Sequence, residues 1–204
     1  MIKNYVFDLG MVLFDYNPEY MTKLYAPTPE DCVLLKSVVF SRRYWDELDK
    51  GTLSDSEFKA AVHKELPPRL HAVADAIYDN WVNNLLPIDG MDEIIRIIKD
   101  KHAKLYLLSN ISIHFSEKYS SVPHVNEMLS RFDGLVFSGP IHKVKPNDDI
   151  FNYLTEKYSL VANECLFIDD KPDNISAAKR LGFQTYRFDG NVSGLRDYIE
   201  RLEG

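Results

Sequence analysis

The chain has 204 residues, 45% hydrophobic and 27% charged, a globular balance with length for one generous domain or a core carrying a smaller insert. With 24 Lys and Arg against 31 Asp and Glu, the net charge is −7, which repels nucleic acid phosphates and anionic membranes, so neither is expected as a partner. No run approaches the roughly 18 apolar residues of a membrane span. The N-terminus lacks a small-residue cleavage pattern, and Cys32 and Cys165 match no metal-ligand spacing, so the sequence reads as a cytoplasmic protein with reduced, buried thiols.

The first element is the run Tyr5-Val6-Phe7, aromatic and β-branched, which leads into Asp8-Leu9-Gly10 and reads as a buried strand. Residues 16–86 hold no convincing strand. They contain helical stretches instead, with capping-box spacing at Ser54-Asp55-Ser56-Glu57 and a long amphipathic pattern over 67–85. A helix is expected over 91–99, then a strand ending in Leu107-Leu108 before Ser109-Asn110. Further strands follow at 135–137, 165–168 and 185–188, with a helix over 150–158 and a charged one over 194–203. Strands alternating with helices predict an α/β fold: a Rossmann-like parallel sheet with helices on both faces and an inserted all-helical cap. The core is expected over residues 1–15 and 87–204, the cap over 16–86.

In an open parallel sheet, ligands bind beyond the carboxyl ends of the strands at the switch point. Three expected strands deliver polar groups there: Asp8 from the first, Ser109 and Asn110 from the second, Asp169 and Asp170 from the fourth. Converging carboxylates repel one another unless a cation joins them, and Mg²⁺ with oxygen ligands is the natural one. Lys145, fixed by the following Pro146 at the start of a helix, can reach back over the sheet to these carboxylates or to a phosphate. Lys143 lies on the same side of an extended chain and competes for that role. Asn174 can support the metal ligands or cap its own helix. Tyr44, Trp45 and Trp81 read as cap core. Arg42-Arg43 is either a solvated face or a source of positive charge for an anionic substrate.

Taken in order, Phe7-Asp8-Leu9-Gly10, Leu108-Ser109-Asn110, Lys145-Pro146 and Phe167-Ile168-Asp169-Asp170 resemble the four motifs of the haloacid dehalogenase-like hydrolases. The helical stretch resembles that superfamily's helical cap, with Trp45, Gly51 and Glu57 similar to cap sequence of the same subgroup. The resemblance implies that Asp8 is a nucleophile forming an aspartyl phosphate, and that Asp8, Asp169, Asp170 and the backbone carbonyl of Gly10 hold Mg²⁺. It further implies that Ser109, Asn110 and Lys145 bind the phosphoryl group, with Lys145 neutralising charge on it. One departure stands out. Phosphatases of the superfamily usually carry an acid–base Asp two residues after the nucleophile, where this chain has Gly10. The Asp-Leu-Gly motif resembles a subgroup that includes sugar-1-phosphate phosphatases. The expectation is a Mg²⁺-dependent phosphatase acting on a small phosphate monoester, a sugar phosphate by preference, with either a leaving group that needs little protonation, such as an anomeric sugar phosphate, or a replacement acid from Asp15 or a cap side chain. A non-catalytic binder of phosphorylated metabolites is the alternative. A dehalogenase is disfavoured, because those enzymes lack the acidic pair at the fourth strand. Oligomeric state is not readable.

Overall fold

The computed structural model describes residues 1–202. In chain order the elements are β1 (Asn4–Phe7), β2 (Phe14–Asp15), α1 (Pro18–Lys23), α2 (Pro29–Val39), α3 (Arg42–Lys50), α4 (Asp55–Glu65), α5 (His71–Asn80), β3 (Leu86–Pro87), α6 (Met91–Asp100) and β4 (Lys104–Ser109). They continue with α7 (Ile113–Lys118), α8 (Pro123–Leu129), β5 (Gly134–Phe137), α9 (Ser138–Ile141), α10 (Asp148–Tyr158), β6 (Cys165–Asp169), α11 (Pro172–Arg180), β7 (Gln184–Arg187) and α12 (Val192–Arg201).

Five strands form one parallel sheet in the order β5-β4-β1-β6-β7, so β1 is central and the chain reverses its direction of growth on either side of it. All four residues of β1 are buried, as a strand covered on both faces requires. Tyr5 and Phe7 join a cluster with Ile94, Ile95 and Ile98 of α6 and Leu195 and Ile199 of α12. Val6 joins a second cluster with Ile150, Phe151 and Leu154 of α10 and Ala177 and Ala178 of α11. This alternation is the two-residue period of a strand read out as two helical layers. Cys32 and Cys165 are buried and free. No helix among the described residues is long and apolar enough to cross a membrane.

Helices α1 to α5 lie between the strands of a small antiparallel ribbon, β2 with β3, in which Phe14 pairs with Pro87 and Asp15 with Leu86. The capping box forms at α4: Ser54 accepts from the Glu57 amide, and Glu57 accepts from the Ser54 amide. The amphipathic stretch over 67–85 is shorter as a helix than its pattern predicts. Pro67-Pro68 opens a single 3₁₀ turn, and α5 runs only from His71 to Asn80, because Pro donates no backbone hydrogen bond. Helix α10 likewise begins at Asp148 rather than with Pro146 in its first turn, since Asn147 N–H closes a turn on Val144.

The helical insert meets the sheet layer almost backbone to backbone. Helix α3 ends at Gly51 in the left-handed region, φ 71°, and a Cβ there would lie 2.2 Å from the Gly139 carbonyl oxygen. Around this seam Ser138 Oγ donates to the Asp49 carbonyl at 2.6 Å, and His142 Nδ1 lies 3.0 Å from the Lys50 carbonyl. A second tie joins Asp55 of α4 to His114 of α7, with Oδ2 and Nδ1 2.8 Å apart.

Candidate active site

The register of the central strands sets the site. Phe7 of β1 pairs with Leu107 and Ile168, so the next residues, Asp8 and Asp169, emerge together at the carboxyl edge, with Ser109 ending β4 alongside. The Asp8 amide donates to the Ile168 carbonyl, which fixes where the Asp8 side chain leaves the sheet. Asp8, Ser109, Lys145, Asp169 and Asn174 are all buried. Isolated charges at such depth are strongly disfavoured unless paired.

Pairing is what Lys145 provides. Its Nζ lies 2.9 Å from Asp8 Oδ1 and 2.7 Å from Asp169 Oδ2. Burial pulls down on the ammonium, but the Asp169 and Asp8 carboxylates outweigh it and the Lys145 pKa is raised. Burial pushes the Asp8 carboxyl up, to about 6, against the Lys145 charge that favours its ionised form. The competition between the two lysines resolves in favour of Lys145, because Lys143 is at the surface with its Nζ 3.3 Å from Asp149. The Lys145 loop is itself clamped by Asn110: Asn110 Nδ2 donates to the Lys145 carbonyl at 2.8 Å, and the Lys145 amide donates to Asn110 Oδ1 at 2.7 Å. Both ends of the Asn110 side chain are thus engaged by the backbone of the residue that carries the ammonium.

Asp8, Asp169 and Asp170 each offer an oxygen, and these atoms lie within 4.8 Å of one another. The environments of the last two differ. Asp169 accepts from Lys145 Nζ, from the Lys171 amide and, at both oxygens, from Asn174 Nδ2. That accounts for about all four lone-pair sites of a carboxylate. Asp170 Oδ1 is buried with no hydrogen-bond partner among the described residues, and burial followed by the neighbouring Asp169 charge raises its pKa. Nearby, among the described residues, no backbone N–H reaches the Gly10 carbonyl, since the loop bonds run from Met11 to Phe14 and from Phe14 to Leu9. With the Asp8 and Asp169 carboxylates close by, the orphaned Asp170 oxygen belongs to an all-oxygen cluster that fits a hard divalent cation.

Above these groups lies a cavity of about 350 Å³, at the small end of the range for small-molecule sites. Its floor includes Asp8, Gly10, Ser109 and Asp170, and its roof is built from the insert by Tyr16, Phe40, Trp45 and Trp81. The aromatic rings pack on one another: Phe40 stacks on Trp45 at 5.5 Å, and Trp45 meets Trp81 edge-on at 5.1 Å. Trp45 and Trp81 are therefore core and cavity wall at once, whereas Tyr44 is outside it, bonded to Glu65. Trp45 Nε1 donates to the Val39 carbonyl, but Trp81 Nε1 is buried without a partner among the described residues. Arg42 lines the rim and pairs with Asp46 at 2.8 Å. Asp15 lies in the ribbon and does not line the cavity. Asn174 supports Asp169 rather than capping α11.

Sequence reasoning singled out neither Asp49, the one carboxylate of the insert that lines this cavity, nor Ser138, which ties the Asp49 carbonyl to the core. The available signal was Lys50-Gly51, a helix end with a left-handed cap, which places residue 49 in a last turn but says nothing about what that turn faces.

Residues 2–182 match the haloacid dehalogenase-like hydrolases. Among curated proteins, the D-ribitol-5-phosphate phosphatase of Bacteroides thetaiotaomicron is 26% identical over 194 residues, covering 92% of each chain. Among solved structures, a predicted HAD-like family hydrolase from Porphyromonas gingivalis superimposes with a TM-score of 0.75 at 26% identity, covering 100% of this chain and 99% of that one. A HAD family enzyme of Bacteroides thetaiotaomicron, an aspartate-to-alanine mutant in complex with magnesium and inorganic phosphate, shares the fold with a TM-score of 0.70 at 20% identity, covering 94% of this chain and 96% of the other. With its parallel sheet, its strand-end carboxylates and a match over most of its length, the chain belongs to the haloacid dehalogenase-like hydrolases.

Proposed function

We propose that this hydrolase is a Mg²⁺-dependent phosphatase acting on a small phosphate monoester, a sugar or polyol phosphate by preference. The observation that carries the reading is a buried Asp8, paired with Lys145 and facing a cavity beside a carboxylate oxygen that has no partner among the described residues. Asp8 attacks phosphorus and forms an aspartyl phosphate, which water hydrolyses. Lys145 neutralises charge on the nucleophile and the transferring group, Ser109 donates to a phosphoryl oxygen, and Asn110 holds the Lys145 loop in register. Asp8, Asp170 and the Gly10 carbonyl would hold Mg²⁺, with Asp169 completing the acidic cluster while it orients Lys145. The ion supplies charge stabilisation for the phosphoryl oxygens when bound. Residues 16–86 act as a cap over a core of 1–15 and 87–204, shielding the intermediate from bulk water and choosing the leaving group. The similarity to a D-ribitol-5-phosphate phosphatase supports a phosphorylated polyol, and the magnesium and phosphate in a fold neighbour support the ion.

The test is steady-state hydrolysis of p-nitrophenyl phosphate with Mg²⁺ or with EDTA, for wild type and Asp8→Asn. Turnover is expected to need both the ion and the carboxylate, with Asp8→Asn at least about a thousandfold slower. Gly10 favours a second reading, a binder of phosphorylated metabolites without turnover. Mg²⁺ binding with no hydrolysis by wild type would establish it.

A further inference from the structure

Resting on the phosphatase reading, we propose that Asp49, carried by α3 of the cap, is the acid–base residue of the reaction, giving a proton to the leaving-group oxygen and later taking one from water. The position two residues after Asp8 is Gly10, and nothing steric requires glycine there: a Cβ would meet only Tyr16 Cβ at 3.9 Å, and φ is not in the left-handed region. The proton must come from elsewhere in the cavity. Asp49 is the one carboxylate of the cap that lines it, together with Asp8, Gly10 and Ser109. No hydrogen bond or ion pair holds its side chain among the described residues, so the carboxyl is free to meet a ligand.

Its placement does not depend on side-chain contacts within the cap. The Asp49 carbonyl accepts from Ser138 Oγ at 2.6 Å, and Ser138 Oγ in turn accepts from the Ile111 amide at 2.8 Å. Residue 49 is therefore fixed to the start of α9 and, through Ile111, to the loop that follows Ser109 at the end of β4 and carries Asn110 into the site. Gly51 closing on Gly139 holds the same turn from its other side. A cap residue anchored by its own backbone to the catalytic floor is already positioned before substrate enters.

The surroundings suit a proton donor. Burial raises the Asp49 pKa to about 7, opposed by Lys171 and Arg42 and assisted by Asp46 and Asp8. The other ionisable groups that feel it are Tyr16 and Tyr78, both with raised pKa values, burial being the larger cause in each. A fraction of the enzyme thus holds the neutral acid near pH 7, where general acids work best. In the first step the Asp8 carboxylate bonds to phosphorus, the bond from phosphorus to the leaving oxygen breaks, and that oxygen takes the Asp49 proton. In the second step water bonds to phosphorus, its proton passes to the Asp49 carboxylate, and the acyl phosphate bond breaks to release inorganic phosphate and the Asp8 carboxylate.

The experiment compares kcat/KM for phenyl phosphate and p-nitrophenyl phosphate in wild type and Asp49→Asn, with Mg²⁺ present. Phenoxide, whose conjugate acid has a pKa of about 10 like the tyrosine side chain, needs the proton far more than p-nitrophenoxide does. The expected loss is about 10²–10⁴-fold for phenyl phosphate and much smaller for p-nitrophenyl phosphate. Equal losses on both esters, or none, overturn the proposal and leave the phosphatase reading standing. A wild type inert on both esters overturns that reading, and this one with it. Wild type alone gives an independent check should the variant not fold. Its kcat/KM for phenyl phosphate is expected to fall as pH rises through about 7, more steeply than for p-nitrophenyl phosphate, and parallel profiles for the two esters overturn the assignment.

Discussion

The floor and the roof of the cavity solve opposite problems. On the floor, nearly every buried polar group has its partner: Asp169 accepts four hydrogen bonds, Asn110 makes two to the Lys145 backbone, and Lys145 bridges two carboxylates. The roof is four stacked and edge-on aromatic side chains, with the Trp81 N–H unpartnered and the Asp49 carboxyl unbonded among the described residues. The floor holds a fixed geometry, while the roof leaves polar groups open, which under the proposed function would face whatever the phosphate is attached to. In a buried network, satisfied groups rigidify and unsatisfied ones mark where a ligand is to complete the set.

The contrast breaks most visibly at Lys145. Lys145→Met leaves Asp8 and Asp169 buried without their common counter-charge, and losing one partner of a buried pair costs about 3–5 kcal/mol. Urea unfolding at neutral pH is expected to show a loss of that size, and a loss below about 1 kcal/mol would mean that the floor is not held by this pair. A smaller effect is expected at Asp49, with a pH signature. Its folded pKa of about 7 lies above the ordinary carboxylate value of 3.8, so the folded state binds more protons between these values and stability falls as pH rises across that window. Asp49→Asn is therefore expected to melt higher than wild type at pH 8 and equally at pH 3.5. A melting difference that ignores pH would show that residue 49 is not a half-buried group with a shifted titration. The smallest change belongs to Trp81→Phe. Trp81 Nε1 has no partner to lose, so the stability change should be limited to ring volume, within about 1.5 kcal/mol, whereas KM for a polyol phosphate should rise if that N–H meets the leaving group. Unchanged KM would remove Trp81 from the recognition surface.

The floor was largely legible in the sequence and the roof was not. Asp8, Ser109, Asp169 and Asp170 follow short apolar runs, and a parallel sheet brings such positions to one edge whatever the details of packing. Lys145 was legible as one of two candidates, and the choice needed the loop clamp from Asn110, a contact 35 residues away in sequence. Asn110 read as a phosphate ligand, and it does line the cavity; its additional clamp on the Lys145 backbone is a contact that a strand-end amide does not announce in sequence. Asp49 carries only the mark of a helix end at Lys50-Gly51, which does not say what that end faces. It faces the cavity because α3 ends against α9, and Ser138 and Asp49 are 89 residues apart. The aromatic residues of the insert were legible as core, but one ring serving both core and cavity wall is a consequence of where helices cross, which periodicity does not encode.

The seam between Gly51 and Gly139 has a consequence for exchanging parts between relatives. A methyl group on residue 51 would sit 2.2 Å from the Gly139 oxygen, and one on residue 139 would sit 2.7 Å from the Ile113 nitrogen. Stretches of main chain meet there almost in direct contact, with the His142 ring at their edge. A chimera that kept this core and borrowed a foreign set of helices would therefore have to match a gap narrower than a methyl before any specificity could be transplanted. Compatibility of donors and acceptors of such grafts would be sorted by the two glycines first and by the pocket residues second.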